Sequence, residues 1–306
     1  MTAIPFISFA QGEALMDWIG LTDALAAGHT LPKAEIADSF LYRGGDTLLN
    51  RAAWIDGMGM AVKTATVFPE NVARGTPNIN GGVNLYSDAD GTLEAMIDFH
   101  LVTKWKTAGD SLLAARRLAR PDARRILLVG SGAVAHALHS AYQAAFADAS
   151  FTVWSRTTAS ATAFASTHAN TTATDDLQVA VEHAEIIACA TISTKPLVKG
   201  EWLQPGQHLD LIGAYRPDMR EVDDLALQRA RLFVDNFDTT IGHIGEIKIP
   251  LETGAIARAD IIADYYDLDA LYRQSEDEIT ICKNGGGAHL DLMTSRYILE
   301  QWRDAG

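Results

Sequence analysis

At 306 residues the chain exceeds what one modest hydrophobic core serves, so one large or two smaller domains are expected. Hydrophobic residues make up 48% and charged residues 21%, as in folded proteins, and no run nears the roughly 18 apolar residues of a membrane span. The formal charge of −14, from 39 acidic and 25 basic residues, disfavours a nucleic-acid binder but leaves room for a small anion held by a few local cations.

The opening MTAIPFISFAQGEALMDW has neither a basic n-region nor a small-residue cleavage site, which predicts a cytoplasmic protein. IPFISF reads as a short strand, and residues 13–27 carry apolar positions at helical spacing. The runs AEIADSFLYR, TLLNRAAWI, GMAVKTATVF, GGVNLYS and TLEAMIDFHLVTKW read as successive strands separated by Gly, Asp and Asn turn signals. Strands without intervening helices predict an antiparallel sheet in an α+β domain. A long helix over 107–120 then leads to Pro121-Asp122.

Beyond that point short apolar strands alternate with helices: ILLVG, a helix over 133–145, FTVWS, a helix over 159–165, EIIACAT, HLDLIGAY and RLFVDN. This is the pattern of a parallel sheet covered on both faces, the doubly wound Rossmann α/β class. ITICKNGGGAHLDLMTSRYILEQW closes the chain as strand, Gly-rich turn and helix, the helix being expected to return to the first domain. The expected division is 1–112 completed by 285–306, with 113–284 as the dinucleotide-binding domain. Cys189 and Cys282 lie in apolar runs and read as buried, inert thiols.

ILLVGSGAVA contains Gly130, Gly132 and Ala135 in the order G-x-G-x-x-A, after a strand and before a helix. The first Gly permits a tight turn, the second a close approach of backbone to pyrophosphate, and the Ala a close helix–sheet contact. Ser131, Ala133 and Val134 complete the loop and helix start, where unpaired amides and the helix dipole favour an anion. The second strand ends at Ser155, Arg156 and Thr157 with no acid. A guanidinium with two hydroxyls suits a 2′-phosphate, so NADP(H) is expected ahead of NAD(H). Thr191 and Ser193 follow a later strand, where such loops meet the cofactor, although ordinary turn chemistry explains them equally.

MAVKTATVFPEN, LVTKWKTAGDSLLAARRLA, VGSGAVA, VWSRT, ATISTKPLV, HLDLIGAYRPDMREVDD and ITICKNGGGAHLDLMTS together resemble the ornithine cyclodeaminase/mu-crystallin family over almost the whole chain. The resemblance implies a homodimer built through the sheet of the first domain and a substrate cleft between the domains. It also implies that Lys63, ahead of Phe68, Pro69 and Asn71, contacts a substrate carboxylate. Lys106 takes the place where cyclodeaminases usually carry Arg, and a further family Arg matches either Arg43 or Arg51. Where the cyclodeaminases have an Asp facing the distal amine of ornithine, this chain has Tyr215, which argues against ornithine. The likeness is nearer to the ketimine-reducing members, among them Δ1-pyrroline-2-carboxylate reductases.

The implied chemistry is NAD(P)H-dependent reduction of a small cyclic α-imino acid. Lys63, Lys106 and one arginine would clamp the carboxylate; a substrate entering as a protonated iminium needs no acid, and otherwise Lys63 is the candidate proton donor or water-orienting group. A cyclodeaminase-type lyase with tightly held NAD, an acyclic imino-acid reductase and a non-catalytic binding protein are the alternatives. Asp291 could serve catalysis or merely cap the terminal helix. Asp218 and Glu221 are expected to fix the loop after HLDLIGAY, and His243 with Glu246 is a weaker proton-shuttle candidate. His136 and His139 have a spacing that could hold a metal but no patterned partner, so no metal is expected.

Overall fold

The computed structural model describes residues 4–306. The chain divides into two compact units, one holding the residues up to Lys106 with Gly287–Gly306, the other Thr107–Gly286. The first contains β1 (Phe6–Ile7), α1 (Phe9–Glu13), α2 (Trp18–Gly28), β2 (Glu35–Arg43), β3 (Asp46–Ile55), β4 (Gly59–Val67), β5 (Ile79–Tyr86) and β6 (Leu93–Asp98). Its sheet runs β1-β6-β5-β4-β3-β2. All neighbours are antiparallel except β1 and β6, so the sheet is mixed, not purely antiparallel. The helix expected over 13–27 is two helices, because the Asp17 carboxylate accepts from the Ile19 and Gly20 amides at 3.0 and 2.9 Å and starts α2 afresh.

The strand-like run 92–105 also divides. β6 stops at Asp98, whose Oδ1 accepts from the amides of His100 and Leu101 at 2.8 and 3.1 Å. That cap begins α3 (Phe99–Leu118), eight residues before the helix expected from the sequence. The boundary between the two units falls inside α3.

The second unit is a seven-stranded, wholly parallel sheet. In chain order it comprises β7 (Arg125–Val129), α4 (Ala133–Ala145), β8 (Ser150–Trp154), α5 (Thr158–Ser166), β9 (Thr171–Thr174), α6 (Leu177–His183) and β10 (Ile186–Cys189), then β11 (His208–Leu211), α7 (Asp224–Arg229), β12 (Arg231–Val234), α8 (Phe237–Thr240), α9 (Gly245–Thr253) and β13 (Thr280–Lys283). The strand order is β12-β13-β11-β10-β7-β8-β9, so the direction of winding reverses between β7 and β10. Crevices at such a reversal, beyond the carboxyl ends of the strands, are where doubly wound sheets bind ligands. Leu127, Val129, Ile187, Leu209, Leu211, Leu232 and Ile281 build the core on one face. β9 is short, polar and at the edge, which is why its TTAT sequence carries no strand signal.

Helix α10 (Ala288–Ala305) returns to the first unit and packs across β3, β4 and α2. β4 alternates strictly: Ala61, Lys63 and Ala65 are buried, while Met60, Val62 and Thr64 face the other side. No helix among the described residues is long and apolar enough to cross a membrane. Both cysteines are free and buried, and burial pushes each thiol well above its ordinary range.

Candidate active site

A cluster of charges lies in the first unit where the inward face of its sheet meets α10, buried at Lys63, Lys106 and Asp291 and open to solvent toward Arg51 and Asp38. Lys63 stands on β4 opposite Arg51 on β3, and Arg51 opposite Asp38 on β2. Side chains at paired positions share a face, so all three project together. Lys63 Nζ donates to Asp291 Oδ1 at 2.9 Å, and Lys106 Nζ lies 4.0 Å from the same oxygen. Arg51 Nε donates to both Asp38 oxygens, at 3.2 and 3.1 Å. Lys63 Nζ also sits 4.7 Å from the centre of the Phe99 ring, a cation–π contact. Lys63, Lys106 and Asp291 are all buried.

Burial lowers the Lys63 ammonium to about 8; Asp291 opposes that shift, while Lys106 and Arg51 add to it. Burial alone would raise the Asp291 carboxyl, but Lys106, Lys63 and Arg51 together hold it below the ordinary carboxylate range. Its Oδ2 is buried and accepts no hydrogen bond from the described residues. Two histidines complete the surroundings. Burial, then the charges of His29 and Lys106, keeps His289 well below its usual value, and burial takes His29 to about 4. Both imidazoles are therefore neutral at physiological pH, and the positive charge is confined to Arg51 and the two lysines.

Arg43, the other arginine expected from the sequence, does not join this group. It is exposed at the β2–β3 turn and pairs with Asp46 at 3.1 Å. Asp291 is not the cap of the terminal helix, because Gly287 is the N-cap and Asp291 lies within the first turns of α10. That carboxylate is the element of the cluster that sequence reasoning left unassigned. Its partner is 228 positions away, and no local pattern links them.

In the second unit the fingerprint loop stands at the winding reversal. Gly130 has φ +122°, and a Cβ there would meet the Ala190 carbonyl oxygen at 2.6 Å. Only glycine fits between the ends of β7 and β10. Gly132, the N-cap of α4, faces open space, while Ala135 is fully buried against the sheet. Gly132, Ala133 and Val134 thus open the helix with amides available to a pyrophosphate. Ser131 Oγ donates to Ser155 Oγ at 3.1 Å, tying the loop to the end of β8.

A second anchor lies beside it. The Glu221 carboxylate accepts from the Thr191 amide and hydroxyl at 2.7 and 2.8 Å, and from the Gly213 and Ala214 amides at 2.8 and 3.2 Å. Glu246 accepts from the amides of Glu221 and Val222 at 2.6 and 3.1 Å, which fixes the carrier of the first carboxylate. Lys283 Nζ, fully buried, donates to the carbonyls of Leu211, Ala214 and Asn284. Burial raises Glu221 to about 7; Lys283 opposes the shift, and Glu246 adds to it. Ser193 is occupied locally, its hydroxyl donating to the Lys195 carbonyl at 2.6 Å. Asp218 holds Arg216 at the surface, and the adjoining Tyr215 is 61% exposed. His243 is exposed and takes no part, whereas Glu246 is structural. His136 and His139 pack against His168 and Phe164, and no group of metal ligands occurs among the described residues.

The sequence profile of the ornithine cyclodeaminase/mu-crystallin family matches residues 52–306. The Δ1-pyrroline-2-carboxylate reductase of Paracoccus denitrificans (strain Pd 1222) is 46% identical over 305 residues, covering 97% of this chain and 96% of that one. The solved structure of Thermococcus litoralis Δ1-pyrroline-2-carboxylate reductase, in complex with NADH and L-proline, matches with a TM-score of 0.89 at 23% identity over 98% of each chain. An archaeal alanine dehydrogenase dimer with bound NAD also gives 0.89, at 24% identity over 99% of this chain and 97% of that one.

These neighbours overturn the expectation of NADP(H), since the cofactor they hold is NADH or NAD. The β8 tip agrees with the correction. Arg156 is exposed and makes no ion pair among the described residues, and Thr157 Oγ is engaged with Ser160 Oγ at 2.7 Å. An exposed guanidinium satisfies itself in water, so its presence after the second strand does not by itself specify a phosphate.

Proposed function

Because the chain belongs to the ornithine cyclodeaminase/mu-crystallin family, we propose that it reduces Δ1-pyrroline-2-carboxylate to proline with NADH. The observation that carries this reading is 46% identity, along nearly the full length of both chains, to a reductase of that name. The buried cluster supports it. Arg51, Lys63 and Lys106 gather beside Asp38 and Asp291, a cationic group that suits the carboxylate of a cyclic imino acid.

Reduction adds a hydride to the imine carbon and a proton to the imine nitrogen. NADH, when bound, supplies the hydride and leaves as NAD+. Gly130, Ser131, Gly132, Ala133 and Val134 would hold its pyrophosphate at the start of α4, with Ala135 keeping that helix close to the sheet; Ser155 and Thr157 would serve the adenosine ribose, and Thr191, fixed by Glu221, the nicotinamide end. Lys106 and Arg51 orient the substrate carboxylate, and the Lys63 ammonium protonates the nitrogen and regains its proton from water. The Tyr215 side chain supplies no carboxylate for a distal ammonium, which sets ornithine aside as substrate.

The chain is proposed to act as a homodimer. Ala37, Ala52, Trp54, Met60 and Val62 line an apolar groove of about 440 Å³ on the sheet face opposite Lys63, a surface suited to a second copy. The deciding experiment is NADH oxidation with five- and six-membered cyclic imino acids, with ornithine and with pyruvate plus ammonia. Turnover of Δ1-pyrroline-2-carboxylate above the others is expected. Ammonia released from ornithine without added cofactor would replace this reading with a cyclodeaminase.

A further inference from the structure

We propose that Asp291 is a positioning residue for the reduction, keeping the Lys63 ammonium charged and aimed so that a proton stands ready at Nζ; this rests on the reading of Lys63 as donor. Three features carry the inference. Lys63 Nζ and Lys106 Nζ lie 2.9 and 4.0 Å from one Asp291 oxygen, so that carboxylate stands against both ammonium groups. The other carboxylate facing this cluster, Asp38, has both oxygens bonded to Arg51 Nε. Asp291 is itself carried in the first turn of α10, where the helix dipole favours a negative charge.

Lys106 and Phe99 face Lys63 from α3, Arg51 from β3 and, beyond Arg51, Asp38 from β2. His289 and Asp291 belong to α10, and His29 is the C-cap of α2. Of the charged groups among these, Asp291 is the one that favours the charged amine, and the Phe99 ring adds a cation–π contact. The two histidines are neutral, the other near neighbours are cations, and burial disfavours charge. Without Asp291, Coulomb repulsion and desolvation both act to strip Lys63 of its proton, and the long side chain loses the contact that sets its rotamer.

The test compares the pH profiles of the wild type, Asp291→Asn and Asp291→Glu. The alkaline limb of kcat/KM for Δ1-pyrroline-2-carboxylate should move to lower pH in Asp291→Asn by about one unit or more, making its loss near pH 9 about tenfold greater than near pH 6. Asp291→Glu should recover the wild-type midpoint. A loss equal at every pH would reduce Asp291 to a structural residue and overturn the proposal. Titration of the ε-13C lysine resonances, with Lys63 assigned through Lys63→Arg, supplies a readout that needs no turnover. The Lys63 midpoint should fall in Asp291→Asn, and an unmoved midpoint refutes the inference even if the substrate assignment is right. Failure of the wild type to reduce any cyclic imine would instead refute the substrate reading, leaving this titration to judge Asp291. If the Asn variant does not fold, Asp291→Glu decides: a midpoint lowered despite the retained charge would contradict the electrostatic account.

Discussion

Arg51 and Lys63 are cross-strand partners in the β3–β4 register, and both project toward α10. Two cations directly opposite on one sheet face repel, and burial enlarges the cost. Asp38 and Asp291 offset it, one beside each. In the proposed reaction a bound substrate carboxylate would add a further attraction to these cations.

Lys63→Met is therefore expected to lower kcat by about 10²-fold or more, the ordinary contribution of a positioned proton donor. NADH affinity, followed by nicotinamide fluorescence, should stay at the wild-type level. Turnover within a few-fold of wild type would remove Lys63 from the reaction.

Arg51→Met should act on binding more than on chemistry. Loss of one charge-assisted contact, worth about 1.5–3 kcal/mol, predicts a KM for the imino acid raised by about 10- to 100-fold. A fall in kcat with KM unmoved would show that Arg51 does not grip the substrate.

Lys63 also links stability to pH. Its folded value of about 8 lies below the ordinary 10.5, so between those limits the unfolded chain binds the proton more tightly. The burial penalty is fully present below about pH 8 and is relieved as pH rises toward 10.5, which makes stability rise over that interval. The wild type should thus gain on Lys63→Met in denaturation temperature between those values. A gap independent of pH would contradict the assigned shift.

The two fingerprint glycines should respond differently. Gly130→Ala places a methyl 2.6 Å from the Ala190 carbonyl at a positive φ, so lower thermal stability is expected together with lost NADH binding. Gly132→Ala adds a methyl in open space at φ −84°, and should weaken NADH binding while leaving the denaturation temperature near wild type. NADH titration and calorimetry on both variants would separate them, and equal destabilisation would count against the cradle.

Glu221→Ala removes the acceptor of four donors and frees the loops that follow β10 and β11. A destabilisation of roughly 2–4 kcal/mol and a rise in NADH Kd are expected, because buried amides are left without partners. Chemical denaturation and NADH titration read the two effects; an unchanged Kd would mean that the Thr191 loop does not meet the cofactor.

Much of this molecule was legible in its sequence. Strict alternation in GMAVKTATV put Lys63 on the same face as Ala61 and Ala65, so a lysine in an inward slot was itself a signal. The G-x-G-x-x-A run was flanked by its strand and helix, and the parallel sheet followed from short apolar strands. What escaped depended on contacts distant in sequence or on side chains with two uses. Asp291 meets Lys63 only because α10 crosses β4, which no local pattern encodes. Asp98 ends a strand and caps a helix within one apolar run, and so hid the start of α3. Arg156 suggested a phosphate by type alone, although its exposure on a loop tip left its partner unspecified.

The helix that brings Asp291 is the last element of the chain, following a parallel sheet already complete at β13. Residues 287–306 thus give Lys63 its counter-charge from 228 positions away, so the acidity of one strand lysine depends on the seating of a helix encoded at the other end of the first unit's two segments.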